Sequence, residues 1–122
     1  ARGHLYQWLM FLTNTVQPDF MELYYPHQHT TDADGIAAVK ASADARLDSA
    51  YAVIDVALAR GGPYLLGERI SVADLFLLML VAWGGAQRNH PAKLVGVRRC
   101  VDLVAARPSV QRAIATEGIR LY

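Results

Sequence analysis

Residues 64–83, YLLGERISVADLFLLMLVAW, constrain the fold most, because a local helix-start signal stands directly before a long apolar run. Ser71 and Asp74 have capping-box spacing. The Ser71 hydroxyl can accept the Asp74 backbone N–H while the Asp74 carboxylate takes the Ser71 N–H, which satisfies two donors that a helix start leaves unpaired. Asp74 also sits at the positive end of the helix dipole. Ile70 and Leu75, at N′ and N4, are spaced to close as a hydrophobic staple. Every residue from Leu75 to Trp83 is apolar. A helix without a polar face must be covered on all sides, so this one is expected at the centre of a helical domain.

The rest of the chain reads as helix too. Leu5, Leu9, Leu12, Val16, Phe20 and Leu23 draw one apolar stripe over a first helix from about Gly3 to Tyr25, which Pro18 should bend by removing a hydrogen bond. Ala1 precedes it with no Ser, Thr, Asp or Asn to cap it, which has the look of a cut end. A second helix is expected from about Ala33 to Arg60, started by a Thr31/Asp34 capping box and stopped by Gly61-Gly62-Pro63. The apolar helix, Val72 to about Trp83, breaks at Gly84-Gly85. A fourth helix follows from Pro91 to Ala106, and a fifth from Pro108 to Glu117 with Gly118 just past its end. No strand pattern and no repeat interrupts this order. The expected fold is all-α, a bundle of about five helices over residues 1–122, two of them long and antiparallel, around a buried central one.

Composition excludes several functions. With 53 % hydrophobic and 19 % charged residues the chain has a globular balance. A net charge of +1, with Arg98-Arg99 as the longest basic run, argues against nucleic acid as a partner. Leu75–Trp83 is far shorter than the roughly 20 residues of a membrane span, and His4, Gln7 and Asn14 interrupt any signal-peptide pattern. The single Cys100 cannot form an intramolecular disulfide, which fits a reducing, cytoplasmic compartment, and its apolar neighbours mark it as a packed thiol.

Polar groups with catalytic spacing are sparse. His27-x-His29 lacks the further ligands a metal centre needs, so no metal is expected. His4 and His90 stand alone near helix starts, where surface or capping roles suit them. The glycines from Gly61 to Gly67 lack the G-K-[ST] ending of a phosphate loop and read as a structural turn. Ser71 and Asp74 are accounted for by capping rather than catalysis. One constellation stands out: Gln17, Phe20 and Tyr24, at offsets of three and four, share a face of the first helix beside Pro18. They suit either one wall of an apolar cleft with a polar handle, or core packing with Tyr24 at the rim.

The stretch LLGERISVADL resembles the segment that opens the central helix in the helical C-terminal domain of glutathione transferases. WLMFLTNTVQPDF (8–20) is similar to that domain's first helix and RPSVQRAIATEGI (107–119) to its last. The resemblance implies a preceding thioredoxin-like N-terminal domain, absent from these residues, that carries most of the glutathione site and the catalytic Tyr, Ser or Cys. It implies glutathione as co-substrate of the whole protein, a small hydrophobic electrophile as second substrate, and a homodimer. Gln17, Phe20 and Tyr24 would then line the electrophile pocket, and Trp83 matches a tryptophan that borders it in some relatives. Gln17-Pro18 stands where beta-class members carry His-Lys. No catalytic residue is expected within the chain, which alone should neither bind nor conjugate glutathione. The alternative is a transferase-like domain used for protein assembly.

Overall fold

The computed structural model describes all of residues 1–122 and is helical, with no strand. Its helices are α1 (Arg2–Phe11), α2 (Gln17–Tyr24), α3 (Ile36–Gly61), α4 (Val72–Ala82), α5 (Val95–Ala105) and α6 (Pro108–Glu117). The expected first helix is divided: a π-helical stretch, Leu12–Val16, joins α1 to α2. Proline explains its position. Pro18 has no N–H to give and its ring crowds the preceding turn, while the Gln17 amide reaches back five residues to the Leu12 carbonyl. The wide turn also resets the buried stripe, so that Leu12, Val16, Phe20 and Leu23 all enter the core.

Two other starts differ from the sequence reading. Asp32, rather than a Thr31/Asp34 box, caps the approach to α3, its carboxylate accepting the Asp34 N–H at 3.0 Å ahead of a 3₁₀ turn at Ala33–Gly35. Pro91 opens a separate 3₁₀ turn, Pro91–Lys93, and α5 begins only at Val95. His90 caps that turn, with Nδ1 accepting the Ala92 N–H at 3.1 Å. The glycine-rich stretch is a tight turn in which Tyr64 and Gly67 exchange backbone hydrogen bonds of 3.1 and 3.0 Å. Its φ angles of 121° at Gly62 and 102° at Gly67 are open to glycine and strained for other residues.

The capping box forms and does more than start a helix. Ser71 Oγ accepts the Ala73 N–H at 3.2 Å, and Asp74 Oδ2 accepts the Ser71 N–H at 2.7 Å and the Ser71 hydroxyl at 3.0 Å. Asp74 Oδ1 takes the Leu65 N–H at 2.8 Å and faces the Cys100 thiol at 3.6 Å. One fully buried carboxylate thus ties the 62–70 loop to α4 and α5.

Helix α4 buries Ala73, Asp74, Leu77, Leu78, Leu80 and Val81 against α1, the π turn and α5. It is not covered on all sides as expected: Val72, Leu75 and Met79 are 54 %, 43 % and 38 % exposed. Leu75 opens onto a surface groove. The longest helix, α3, organises the opposite side. Its Arg46 pairs with Asp19 at 2.7 Å and with Glu22, both on α2. Asp44, Asp48 and Asp55 hold the connection into α5 by accepting from the Arg88 N–H, Asn89 Nδ2 and the Gly96 and Val97 N–H groups.

Candidate functional site

Three aromatic side chains from two elements meet where α2 passes the end of α4. The Phe20 ring lies 6.3 Å from Tyr24, stacked, and 5.9 Å from Trp83, edge to face. Behind it, Tyr51 of α3 makes a further edge contact at 6.4 Å. The Tyr24 hydroxyl donates to the Trp83 backbone carbonyl. That carbonyl stands where α4 passes into a 3₁₀ turn, Trp83–Ala86, so the bond ties the Tyr24 ring to the end of α4.

The four residues singled out by sequence have different positions. Phe20 is fully buried and packs against Tyr24 and Trp83 from behind. Tyr24 and Trp83 line a surface depression of about 500 Å³ with Met21, Tyr25 and Ala82. Gln17 is half-buried and lines neither this depression nor the one beyond it. On the other side of Trp83 and Ala82 lies a groove of about 520 Å³. Leu75, Leu78 and Met79 form its floor on α4, Val110, Ala113 and Ile114 its side on α6, and Ile119 and Leu121 its edge. Trp83 therefore borders two adjoining apolar hollows.

The groove escaped the sequence reading because a run as apolar as Leu75–Trp83 hides which face is left bare. A signal was present. Leu75, Met79 and Trp83 recur every four residues, and Ile119 and Leu121 continue an apolar pattern beyond the Gly118 helix stop. Chemically, the surface can hold an apolar molecule and offers it few polar groups. The Tyr24 hydroxyl is committed to Trp83. Cys100, buried beside the Asp74 carboxylate, has its thiol pushed up to about 12 by desolvation first and by Asp74 second, so it is held as a thiol. No group of three or more His, Cys, Asp or Glu is placed to hold a metal ion.

Residues 37–112 match the family described as "Glutathione S-transferase, C-terminal domain". The chain belongs to that glutathione S-transferase family. It is 24 % identical over 120 residues to glutathione S-transferase GstA of Escherichia coli O157:H7, covering 98 % of this chain and 56 % of that protein. Among solved structures it resembles a glutathione-S-transferase from Xylella fastidiosa with a TM-score of 0.85 and 24 % identity, over 98 % of this chain and 57 % of the other. A glutathione transferase homolog from Sulfitobacter, solved with bound glutathione, gives a TM-score of 0.83 at 19 % identity, over 97 % and 56 %. Likeness to these structures is likeness of fold. This chain spans about half the length of these relatives. No helix in it is long and apolar enough to cross a membrane.

Proposed function

We propose that this chain is the helical half of a glutathione transferase, and that the whole protein joins the glutathione sulfur to small hydrophobic electrophiles. In that reaction the thiol gives up its proton, the thiolate forms the S–C bond, and a leaving group departs or, in an addition, the electrophile takes up a proton. The proposed division of labour assigns activation of the thiol to a thioredoxin-like N-terminal domain. Tyr24 and Trp83 contribute the wall against which the electrophile rests, with Phe20 as their backing. Gln17, which borders neither hollow, is assigned no contact.

The observation that carries this reading is the pair of adjoining apolar hollows at Trp83, in a chain of this family that spans half the length of its relatives. Sites for small molecules are mostly apolar and concave, and Trp83, Tyr24 and Leu75 provide such a surface, with Arg120 the charged residue along the groove. A rigid aromatic wall adds to rate by orienting the second substrate over the sulfur, a contribution separate from activation of the thiol. The proposal includes a homodimer and a cytoplasmic location.

The test is an assay of the whole protein with glutathione and a panel of aryl halides and activated alkenes, with the thioether product identified by mass. Conjugation by the whole protein and none by residues 1–122 alone is the expected result. If the whole protein formed no thioether yet drew other proteins into a stable complex, the assembly reading of the fold would replace this one.

A further inference from the structure

One face of α3 meets the connection from α4 to α5 with four polar residues, Asp44, Asp48, Tyr51 and Asp55, spaced to lie on one side of the helix. Three of them are used there. Asp44 accepts the Arg88 N–H at 3.1 Å, Asp48 Oδ2 the Asn89 side-chain amide at 2.9 Å, and Asp55 the Gly96 and Val97 N–H groups at 2.7 and 3.0 Å. Tyr51 is the exception: the residue is 1 % exposed and its hydroxyl has no hydrogen-bond partner. Burial raises its pKa well above the ordinary 10, so it stays a neutral hydroxyl that can donate or accept. Buried hydroxyls are as a rule paired, and leaving this one unpaired carries a cost that a phenylalanine would avoid. Tyr51 also lines a cavity of about 290 Å³ between α3 and the connection, with Asp48, Asn89, His90, Lys93 and Leu94. The cavity shares no lining residue with the two hollows at Trp83.

We propose that this cavity is a second binding site, for a small zwitterion of the free α-amino acid type: its ammonium meets Asp48, its carboxylate meets Lys93, and a polar atom takes up the Tyr51 hydroxyl. The lining carries one charge of each sign. Asp48 keeps Oδ1 without a partner, and Lys93 forms no ion pair. His90, its pKa lowered by burial first and then by Lys93 and Arg98, is neutral at pH 7 and adds no charge. A simple anion would be repelled by Asp48 and a simple cation by Lys93, whereas a molecule with both charges finds a complement for each. The volume stands near the lower end of small-molecule sites, which suits a ligand of a few carbons. Asn89 and Lys93 are exposed, and entry past their side chains uncovers the hydroxyl. The site requires neither the electrophile wall nor the transferase reaction.

L-Serine can be titrated into residues 1–122 while the backbone amide resonances of Asn89, Lys93 and Leu94 are followed, with acetate and ethylammonium as single-charge comparisons. Serine should move these resonances saturably in the millimolar range, and neither comparison ion should do so over the same range. Tyr51→Phe should weaken serine binding about fivefold, the scale of one hydrogen bond, while the ligand-free unfolding midpoint stays level or rises because no protein partner is lost. Lys93→Gln, a change at an exposed side chain, should weaken serine and let ethylammonium bind, an exchange of preference that a merely structural lysine would not produce. Absence of a saturable shift with serine would overturn the proposal and leave a cavity that takes water only. Acetate binding as well as serine would overturn it in favour of a simple anion site, and unchanged serine affinity in Tyr51→Phe would show that the hydroxyl plays no part.

Discussion

Asp74 shows how much depends on one carboxylate. Its two oxygens accept from two backbone amides and a hydroxyl, and they face a thiol, all within buried surroundings. Its removal strands those donors. Asp74→Ala should therefore cost about 3 kcal/mol, against about 1 kcal/mol for Ser71→Ala, which removes only a cap. Urea unfolding of both variants checks this, and equal losses would mean that the Leu65 and Cys100 contacts carry no weight. The Ser71–Asp74 pair was legible in sequence because three residues separate its members. Leu65 and Cys100 were not, because a partner nine or 26 positions away is fixed by the tertiary fold. His90 adds a pH effect. Burial first, then Lys93 and Arg98, lowers its pKa below the ordinary 6.5, so the unfolded chain binds a proton more readily than the folded one. The His90 contribution to stability is thus intact above pH 6.5 and fades as pH falls below it. Stability measured from about pH 7.5 to 5.5 should decline in the parent and decline less in His90→Asn, which keeps an acceptor for the Ala92 N–H.

At the scale of elements, α5 is started from outside its own sequence. No residue at its N-terminus offers a side-chain cap; Asp55 of α3 supplies the acceptor instead, at 2.7 Å from the Gly96 N–H and 3.0 Å from that of Val97. Close approach of the two helices makes this possible. A Cβ on Gly96 would stand 2.8 Å from Asp55 Oδ1 and 3.1 Å from the Asp55 carbonyl oxygen. Gly96→Ala should therefore destabilise by roughly 1–3 kcal/mol although alanine is the better helix former, because α3 and α5 must part. Asp55→Ala should cost about 2 kcal/mol through the two stranded amides. Thermal unfolding measures both, and a Gly96→Ala chain as stable as the parent would contradict the close packing. The existence and order of the helices were readable from apolar periodicity and from Pro108 and Gly118. The late start of α5 was not, since its cap lies 41 residues upstream in α3. Nor was the π turn: Pro18 announced a disturbance but not how the backbone would absorb it.

For the whole molecule, the exposed face of α1 has a consequence. Tyr6 and Met10, one turn apart, are 57 % and 53 % exposed. Apolar surface of this kind tends to find a partner, and twofold pairing is the commonest closed solution for identical chains. Residues 1–122 should sediment as a dimer at micromolar concentration, and Tyr6→Lys with Met10→Lys should release monomers. A monomeric parent chain would show that this face is tolerated in water. Of the residues at the hollows, sequence named Tyr24, and the resemblance named Trp83. Sequence set Phe20 on one helix face with Gln17 and Tyr24 without showing that Phe20 lies behind Tyr24 and Trp83, since offsets along one helix say nothing of what packs in front. Phe20→Ala is accordingly a stability variant, expected to cost about 3–5 kcal/mol. The decisive variants are Trp83→Leu and Tyr24→Ser in the whole protein, studied by steady-state kinetics with glutathione and a bulky aryl electrophile both varied. An electrophile wall predicts that kcat/KM for the electrophile falls about tenfold while KM for glutathione stays within about twofold. Parallel loss toward both substrates, or no loss toward either, would contradict it.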